Sequence, residues 1–267
     1  MLKDDRIKFI MKFLQQNQTA KVGFLSTQLK VTPETIRRDL EYLEEEGHIK
    51  RVHGGAMINQ TNIPETNFLV REAINIEEKQ YIAMEACHYV QEGDFLALDV
   101  STTNTEIAKQ LQKKFTKLSI VTNSLTIATI LSQNPNFDVL LPGGRLRNSE
   151  LCIVGASAIK QMNKFHIDTF FMSISGISLK EGLMDNGHGE CEVKIAMHQN
   201  ATNTFVVADH TKFNATSMLR IGDVSSINGI ITDPMIAPEI VKQYDQNGVP
   251  LFYYQEDKEP GRNEFNS

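Results

Sequence analysis

The stretch VTPETIRRDLEYLEEEGHIKRVHGGA, residues 31–56, decides the fold of the first part of the chain. Thr32 is a good N-cap for a helix, and Pro33 suits the first helical position, where its missing N–H costs nothing. The apolar residues that follow recur at the spacing that places them on one face of a helix. They are Ile36, Leu40 and Leu43. Gly47 supplies a left-handed cap, so the stretch predicts an amphipathic helix that ends near this glycine.

A short basic hairpin is predicted after this helix. Ile49 to Val52 can form a strand, and His53-Gly54-Gly55 can turn the chain back. The helix face opposite the apolar stripe carries arginines, which is typical of an element that enters a DNA groove while the hairpin holds phosphates. A charged solvent face is the plain alternative, and we accept it for Glu44-Glu45-Glu46, since acidic residues would repel DNA. The residues expected to contact DNA are Thr32, Glu34, Thr35, Arg37, Arg38, Arg51, His53 and Gly54.

The chain before residue 31 supplies two further helices. A second apolar face precedes the tight connection Lys30-Val31, and a third lies nearer the start of the chain. These faces consist of Val22, Leu25 and Leu29, and of Ile7, Ile10, Met11 and Leu14. Two short helices joined by about three residues form a helix-turn-helix. We therefore predict a winged helix-turn-helix over residues 3–58, with the helix-turn-helix at about 20–39.

TPETIRRDLEYLEEEGHIKRVHGGA resembles the N-terminal signature of the DeoR family of bacterial sugar-metabolism repressors. The resemblance runs from about Lys3 to Ile58. The sequence departs from the family pattern at Lys30, a turn position where the family often has glycine. The resemblance implies binding to double-stranded operator DNA and repression of transcription.

The whole chain has 267 residues, which is too long for one DNA-binding module and leaves room for a second domain. Its net charge of −6 is unevenly distributed. Residues 1–57 hold ten Lys/Arg against eight Asp/Glu, whereas the remainder holds seventeen against twenty-five. A mildly basic head on an acidic body suits a protein that touches DNA at one end only.

The cysteines give no sign of a disulfide framework or a zinc site. Cys87, Cys152 and Cys191 are far apart and lack the spacing of metal ligands, which fits a reducing cytoplasm. The charged start of the chain does not resemble a signal peptide, and no run approaches the roughly 18 apolar residues of a membrane span. We therefore expect a cytoplasmic location, no membrane and no metal.

Short apolar runs alternate with helical stretches from about residue 95 onward. The predicted strands are Phe95–Leu98, Leu118–Val121, Asp138–Leu141, Thr169–Ile174, Thr204–Ala208 and Gly229–Thr232. The predicted helices are Glu77–Val90, Thr105–Leu111, Leu125–Leu131, Ala156–Met162 and Glu190–His198. This alternation predicts an α/β domain with a mainly parallel sheet covered on both faces, over residues 76–254. We expect residues 59–75 to form a linker, with NQTNIPETN at its start, and residues 255–267 a disordered tail.

Polar loops follow five of these strands, where ligands bind in open parallel sheets. They are residues 99–104, 122–124, 142–147, 175–176 and 209–212. Hydroxyls and backbone N–H groups at helix N-termini favour anions, and cationic side chains add charge. Any one loop could be an ordinary helix cap or turn. Five on one edge indicate a small, polar, phosphorylated ligand. GxGxxG and GxxxxGK[ST] are absent, so no nucleotide cofactor is expected.

The second part of the chain also resembles the DeoR family, to about Tyr254, in GDFLALDVSTTN, LSIVTNSL, LLPGGRLR, GECEVKIAM and ADHTKF. In that family the C-terminal domain is similar in fold to sugar-phosphate isomerases and senses a phosphorylated metabolite. The resemblance implies that the ligand-binding residues are Asp99, Ser101, Thr102, Thr103, Asn123, Gly143, Gly144, Glu192, Lys194 and Lys212.

The rival interpretation is an active sugar-phosphate isomerase or deaminase, which needs a carboxylate base beside the reacting carbon. Asp99, Glu190, Glu192 and Asp209 are candidates for that base. An enzyme has no need of a winged helix, so we expect a sensor without catalytic residues. A scaffold without ligand control would leave the polar loops unexplained. The sequence leaves open which sugar binds, and it does not separate a homodimer from a homotetramer.

Overall fold

The computed structural model describes residues 2–58 and 68–253, and the chain divides between Ile76 and Glu77 into two compact units. Each unit has its own buried apolar core. Most of the predicted linker, residues 59–67, and the predicted tail, 255–267, lie outside the described residues.

The first unit is a winged helix-turn-helix, as the sequence predicted. Its described elements are α1 (Lys3–Asn17), β1 (Thr19–Lys21), α2 (Val22–Leu29), α3 (Pro33–Glu45), β2 (Ile49–Val52), β3 (Gly55–Ile58) and α4 (Phe68–Ala73). Helices α2 and α3 form the helix-turn-helix, and β2 and β3 form the wing. Strand β3 pairs antiparallel with both β2 and β1.

Local signals fix the start of α3 and the sharp turn of the wing. The Thr32 side chain accepts a hydrogen bond from the backbone N–H of Thr35 at 3.2 Å, and Pro33 opens the helix. Gly55 lies against the Ala20 carbonyl so closely that a Cβ would overlap it. The apolar residues predicted for α1 and α3 are all buried in one core.

Lys30 joins α2 to α3 in the left-handed conformation, with φ of +53°. Lysine thus adopts here the backbone geometry that usually favours glycine. The hydroxyl of Ser26 donates to the carbonyl of Val31 at 2.6 Å, and the Val31 N–H donates to the carbonyl of Ser26. These bonds close the turn, so the departure from the family pattern leaves the helix-turn-helix intact.

Residues 68–75, which the sequence placed in the linker, are not all linker. Phe68–Ala73 forms α4, and Phe68, Val70 and Ala73 are buried. An ion pair of 2.7 Å joins Lys8 of α1 to Glu72 of α4. A six-residue helix is too short to show a helical period, so tertiary packing rather than local pattern creates it.

The second unit is an α/β domain. Its described elements are α5 (Ile76–Ala86), β4 (Phe95–Leu98), α6 (Thr102–Lys114), β5 (Ser119–Thr122), α7 (Leu125–Leu131), β6 (Asp138–Leu140), β7 (Arg145–Arg147), β8 (Cys152–Val154), α8 (Ala156–Met162), β9 (Ile167–Ser173), β10 (Gly176–Ser178), β11 (Gly182–Asp185), α9 (His188–Gln199), β12 (Ala201–Val207), β13 (Leu219–Gly222), β14 (Gly229–Thr232), α10 (Pro238–Gln246) and β15 (Leu251–Tyr253).

Seven strands of the described chain form one sheet in the order β15-β14-β12-β9-β4-β5-β6, and all neighbours are parallel. The predicted parallel sheet is therefore confirmed, with β15 as an additional edge strand. Alternate residues of each strand enter different cores: Phe170 and Val206 face one side, and Phe171 and Val207 face the other. Burial on both faces explains why the strands are continuous apolar runs.

Two smaller sheets accompany the large one. Strands β7 and β8 form a hairpin, and β10, β11 and β13 form an antiparallel sheet. The chain leaves β9 directly into β10, so the end of β11 lies near the carboxyl edge of the large sheet. No helix of the described residues is long and apolar enough to cross a membrane.

Candidate DNA-contact surface and effector site

The outward face of α3 is charged and exposed. The Arg38 side chain is 78% exposed, and its Nε lies 3.8 Å from Glu34 Oε1. Arg37 Nη1 lies 3.2 Å from Glu34 Oε2. Because Glu34 sits one turn before both arginines, it can orient them without burying either one.

The wing carries Arg51, and the structure ties this side chain back to α3. Its Nη1 lies 3.4 Å from Glu41, and its Nε lies 3.2 Å from Glu44. Glu44 also accepts the backbone N–H of Arg51 at 2.8 Å. His53 and Gly54 are exposed at the tip of the wing. The acidic end of α3, interpreted from sequence as a solvated face, therefore also holds the wing in place.

A buried ion pair that sequence reasoning missed fixes α3 to α1. Arg6 Nε donates to Asp39 Oδ2 at 2.7 Å, and Arg6 Nη2 donates to Asp39 Oδ1 at 3.0 Å. The hydrogen bond to Asp39 raises the pKa of Arg6, which outweighs burial. The signal in the sequence was a carboxylate three residues after Ile36, next to the apolar face of the helix.

At the carboxyl end of β4, Asp99 is buried and fully engaged. Its Oδ1 accepts from Asn104 Nδ2 at 2.5 Å and from the Ser173 N–H at 3.1 Å, and its Oδ2 accepts from Ser173 Oγ at 2.9 Å. Lys194 Nζ lies 2.9 Å from Oδ2. Asp99 therefore joins β4, the first turn of α6, the end of β9 and helix α9.

Lys194 is the centre of this cluster, and its side chain is only 3% exposed. Besides Asp99, it donates to the Ser173 carbonyl at 2.6 Å and to Asp185 Oδ2 at the end of β11. An ammonium has three protons to donate, so these partners leave none for a ligand. Asp185 in turn accepts from the Ser175 hydroxyl at 2.6 Å and from the Asn186 N–H at 2.8 Å.

The three ionisable groups of this cluster are not equally held in their charged forms. Burial alone would lower the pKa of Lys194, but Asp185 and Asp99 raise it above its ordinary value. Burial also dominates at Asp99, whose pKa is raised despite Lys194 and Ser173. At Asp185 burial is outweighed by Lys194 and Ser175, so its pKa is lowered. Lys194 and Asp185 thus form the firmly charged pair.

The N-terminus of α6 presents two hydroxyls without protein partners. Ser101 caps the helix by accepting the Asn104 N–H at 2.9 Å. Thr102 is 6% exposed and Thr103 8% exposed, and neither hydroxyl makes a hydrogen bond within residues 2–58 and 68–253. Neither hydroxyl oxygen is among the fully buried atoms without a partner, so both are open to solvent or to a ligand at this helix N-terminus.

Asn123 and the two glycines lie on neighbouring loops. Asn123 Oδ1 accepts the Val100 N–H at 3.0 Å, which positions the loop after β4. Gly143 is exposed, and its N–H donates to Gln161 at 3.2 Å. A Cβ on Gly144 would lie 2.8 Å from Ile153 and from the Val154 carbonyl, so close packing on β8 requires glycine there.

Two of the predicted ligand residues lie apart from the cluster. Glu192 is exposed on α9, about 200° around the helix from Lys194 at two residues' separation. The structure therefore does not bring Glu192 to Lys194. Lys212 is partly exposed after β12, where it helps Thr211 lower the pKa of Asp209 against the effect of burial.

Two family models match the chain in the order of its two units. The DeoR-like helix-turn-helix domain model matches residues 6–62, and the DeoR C terminal sensor domain model matches residues 74–234. Among solved structures, ribose 5-phosphate isomerase A from Neisseria gonorrhoeae aligns with 13% identity and a TM-score of 0.38, covering 54% of this chain and 55% of that one.

Curated relatives extend along nearly the whole chain. HTH-type transcriptional regulator GolR of Listeria innocua is 36% identical, covering 92% of this chain and 97% of that protein. HTH-type transcriptional repressor CsqR of Escherichia coli is 34% identical, and the match covers 93% of this chain and 94% of that protein. The glycerol-3-phosphate regulon repressor of Escherichia coli is 31% identical, and the match covers 87% of this chain and 92% of that protein. With both of its domains matched in order, the chain belongs to the DeoR family of DNA-binding transcriptional regulators.

Proposed function

We propose that this regulator represses an operon of carbohydrate catabolism and that a phosphorylated sugar releases it from its operator. Relatives along the whole chain are named as repressors, among them one of a glycerol-3-phosphate regulon and one of an aga operon. The protein would act in the cytoplasm as a homodimer or homotetramer, since operator symmetry commonly mirrors protein symmetry.

The observation that carries the effector proposal is the pair of accessible, unpartnered hydroxyls on the largely buried residues at the N-terminus of α6. Thr102 and Thr103 lie where backbone N–H groups and the helix dipole favour an anion. Lys212 can add positive charge from the loop after β12. Binding alters operator affinity only if the ligand prefers one conformation of the protein, and a tenfold change needs about 1.4 kcal/mol of preference.

Thr102→Val is the sharpest test of the effector site. Valine has nearly the same shape but cannot donate to a phosphate, so the variant should no longer respond to sugar phosphates. Operator-bound fraction is measured by fluorescence anisotropy while ribose 5-phosphate, glucose 6-phosphate and glycerol 3-phosphate are titrated in turn.

Thr129→Val is the matched control, because the exposed Thr129 hydroxyl bonds only the Leu125 carbonyl of its own helix. This control should respond like the wild type. A normal response of Thr102→Val would refute the proposed anion site.

For the recognition helix, Arg38→Ala should lose about 1–3 kcal/mol of operator affinity and flatten sequence preference. Arg38 is the most exposed arginine of α3 and faces away from the core, so we assign it to base reading. Titrations on operator and scrambled DNA measure both affinities. Operator affinity equal to that of the wild type would remove Arg38 from the base-reading role.

For the wing, Arg51→Ala should weaken binding to all DNA alike and reduce the salt slope by about one. Glu44→Gln should act in the opposite direction, since it removes one of the carboxylates that compete with phosphate for Arg51. Affinities for scrambled DNA across a salt series give both slopes. Tighter binding of Arg51→Ala to any DNA would contradict the assignment.

Catalysis of sugar-phosphate isomerisation is disfavoured by the state of the carboxylates. A base must be free to take a proton from the substrate. Asp99 is engaged by Asn104, Ser173 and Lys194, and Glu190 accepts from the Cys152 thiol at 3.5 Å and lies 3.3 Å from Arg147. We expect no turnover of ribose 5-phosphate by the purified protein.

A further inference from the structure

The far end of the effector site offers acceptor oxygens that the family resemblance does not describe. Three ionisable side chains meet there: Asp99, Asp185 and Lys194. Two carboxylates surround one ammonium whose three protons are all donated within the cluster, so the cluster offers acceptor oxygens and no free donor. Among the neighbouring ionic groups, Arg147 lies 3.3 Å from Glu190, and Lys212 and Lys79 lower the pKa of the Asp209 carboxylate.

Of the three side chains, only Asp185 brings its acceptor oxygens toward the surface of the site. Its side chain is 15% exposed, whereas the other two members are 2% and 3% exposed. Its hydroxyl partner Ser175 is half-buried at the start of the same polar edge. A ligand that reaches this edge would therefore contact Asp185 and Ser175 rather than Lys194.

The two ends of the site lie within reach of one ligand. Asn104 belongs to the first turn of α6 and donates to Asp99, so the unpartnered hydroxyls of Thr102 and Thr103 are close in the fold to the cluster. Strands β4 and β9 are neighbours in the sheet, so their carboxyl ends lie about 4.8 Å apart. One end therefore offers N–H and hydroxyl donors to an anion, while the other offers acceptors and negative charge.

Resting on the proposed function, we propose that this sensor selects phosphorylated ligands whose opposite end is neutral or cationic. Polyol, aldose and amino-sugar monophosphates fit, because their hydroxyl or ammonium groups can donate to Asp185. Sugar-acid phosphates and bisphosphates do not fit, because a second anion would meet a buried carboxylate whose ammonium partner is already engaged. Asp185 is thus the specificity-determining residue, and Lys194 positions it.

The test uses the full chain and pairs of ligands that share one phosphate and differ at the other end. The pairs are glycerol 3-phosphate with 3-phosphoglycerate, glucose 6-phosphate with 6-phosphogluconate, and fructose 6-phosphate with fructose 1,6-bisphosphate. Calorimetry gives a Kd for each. We expect the neutral-ended member of every pair that binds to be favoured by about tenfold or more, which corresponds to about 1.4 kcal/mol. An acid-ended member that binds as tightly overturns the inference.

Asp185→Asn keeps the shape but removes the charge of this carboxylate and adds an N–H donor, so the discrimination within each pair should largely disappear. Asp168→Asn is the matched control. Asp168 is at the amino end of β9, roughly 17 Å from Ser173 along the strand, and an asparagine there can still accept the Phe95 N–H. This control should show the same ratio of Kd values within each ligand pair as the wild type. If Asp185→Asn keeps the wild-type ratio of Kd values within each ligand pair, Asp185 is not the specificity-determining residue. If that variant does not fold, the Kd ratios of the wild type alone test the proposed selectivity.

Inorganic phosphate separates this inference from the proposed function. If inorganic phosphate stabilises the protein in a Thr102-dependent way but no neutral-ended ligand binds, the anion site stands and the selectivity inference fails. If neither inorganic phosphate nor any sugar phosphate binds, the proposed effector site itself fails, and this inference fails with it.

Discussion

Lys194→Met should destabilise the sensor unit by at least about 3–5 kcal/mol, because it leaves two buried carboxylates without their cation. That loss is a large part of the roughly 5–15 kcal/mol that keeps a typical domain folded. Urea unfolding followed by circular dichroism measures it. Lys160→Met, which removes an exposed and unpaired lysine from α8, is the control and should stay within about 0.5 kcal/mol of the wild type.

The same variant should show a distinctive pH dependence. In the wild type the folded pKa of Lys194 is raised above its ordinary 10.5, so its contribution is fully present at neutral pH and is lost only in strongly alkaline solution. Without Lys194, the two carboxylates have folded pKa values above their unfolded ones. Stability is then retained at low pH and lost as pH rises, so the deficit should shrink from pH 8 to pH 5. A deficit that grows toward pH 5 would contradict the charged cluster.

A second large effect is expected at the buried pair of the DNA-binding unit. Asp39→Ala should cost about 2–3 kcal/mol, because it removes both hydrogen bonds that Asp39 accepts from the largely buried guanidinium of Arg6. Since the chain forms two compact units, the variant should melt its winged helix first and retain the transition of the sensor unit. Differential scanning calorimetry resolves the two transitions.

Asp5→Ala provides the comparison for Asp39→Ala, since Asp5 is exposed on α1 next to Arg6. It should leave both transitions close to those of the wild type. A mild effect of Asp39→Ala, within about 0.5 kcal/mol of this control, would contradict a large contribution of the Arg6–Asp39 pair to the stability of the winged helix.

Sequence reasoning succeeded where the signal lies within a few residues. Thr32 and Pro33 mark the start of α3 by capping chemistry, and continuous apolar runs mark the sheet because both of its faces are covered. It failed for α4, a helix too short for a period, and it did not find β15. Both elements depend on surfaces supplied by the rest of the fold.

The candidate site was predictable in location but not in detail. The edge of the sheet follows from the strand–helix alternation, and Asp99 lies there as expected. Asp185 was missed because only the fold brings the end of β11 beside β4 and β9. Glu192 was included with Lys194 because they share a motif, although helical geometry turns them to different sides of α9.

The glutamates beside the arginines that we propose to contact DNA have a consequence for how the protein searches a genome. Arg37, Arg38 and Arg51 each have an acidic neighbour, which competes with DNA for the arginine. The free energy needed to separate each arginine from its glutamate is spent at every random site, and a genome offers about a million to a billion such sites. Base contacts compensate for this free energy only at the operator. We therefore expect short residence on random DNA, so that few copies of the repressor suffice to keep its operator occupied.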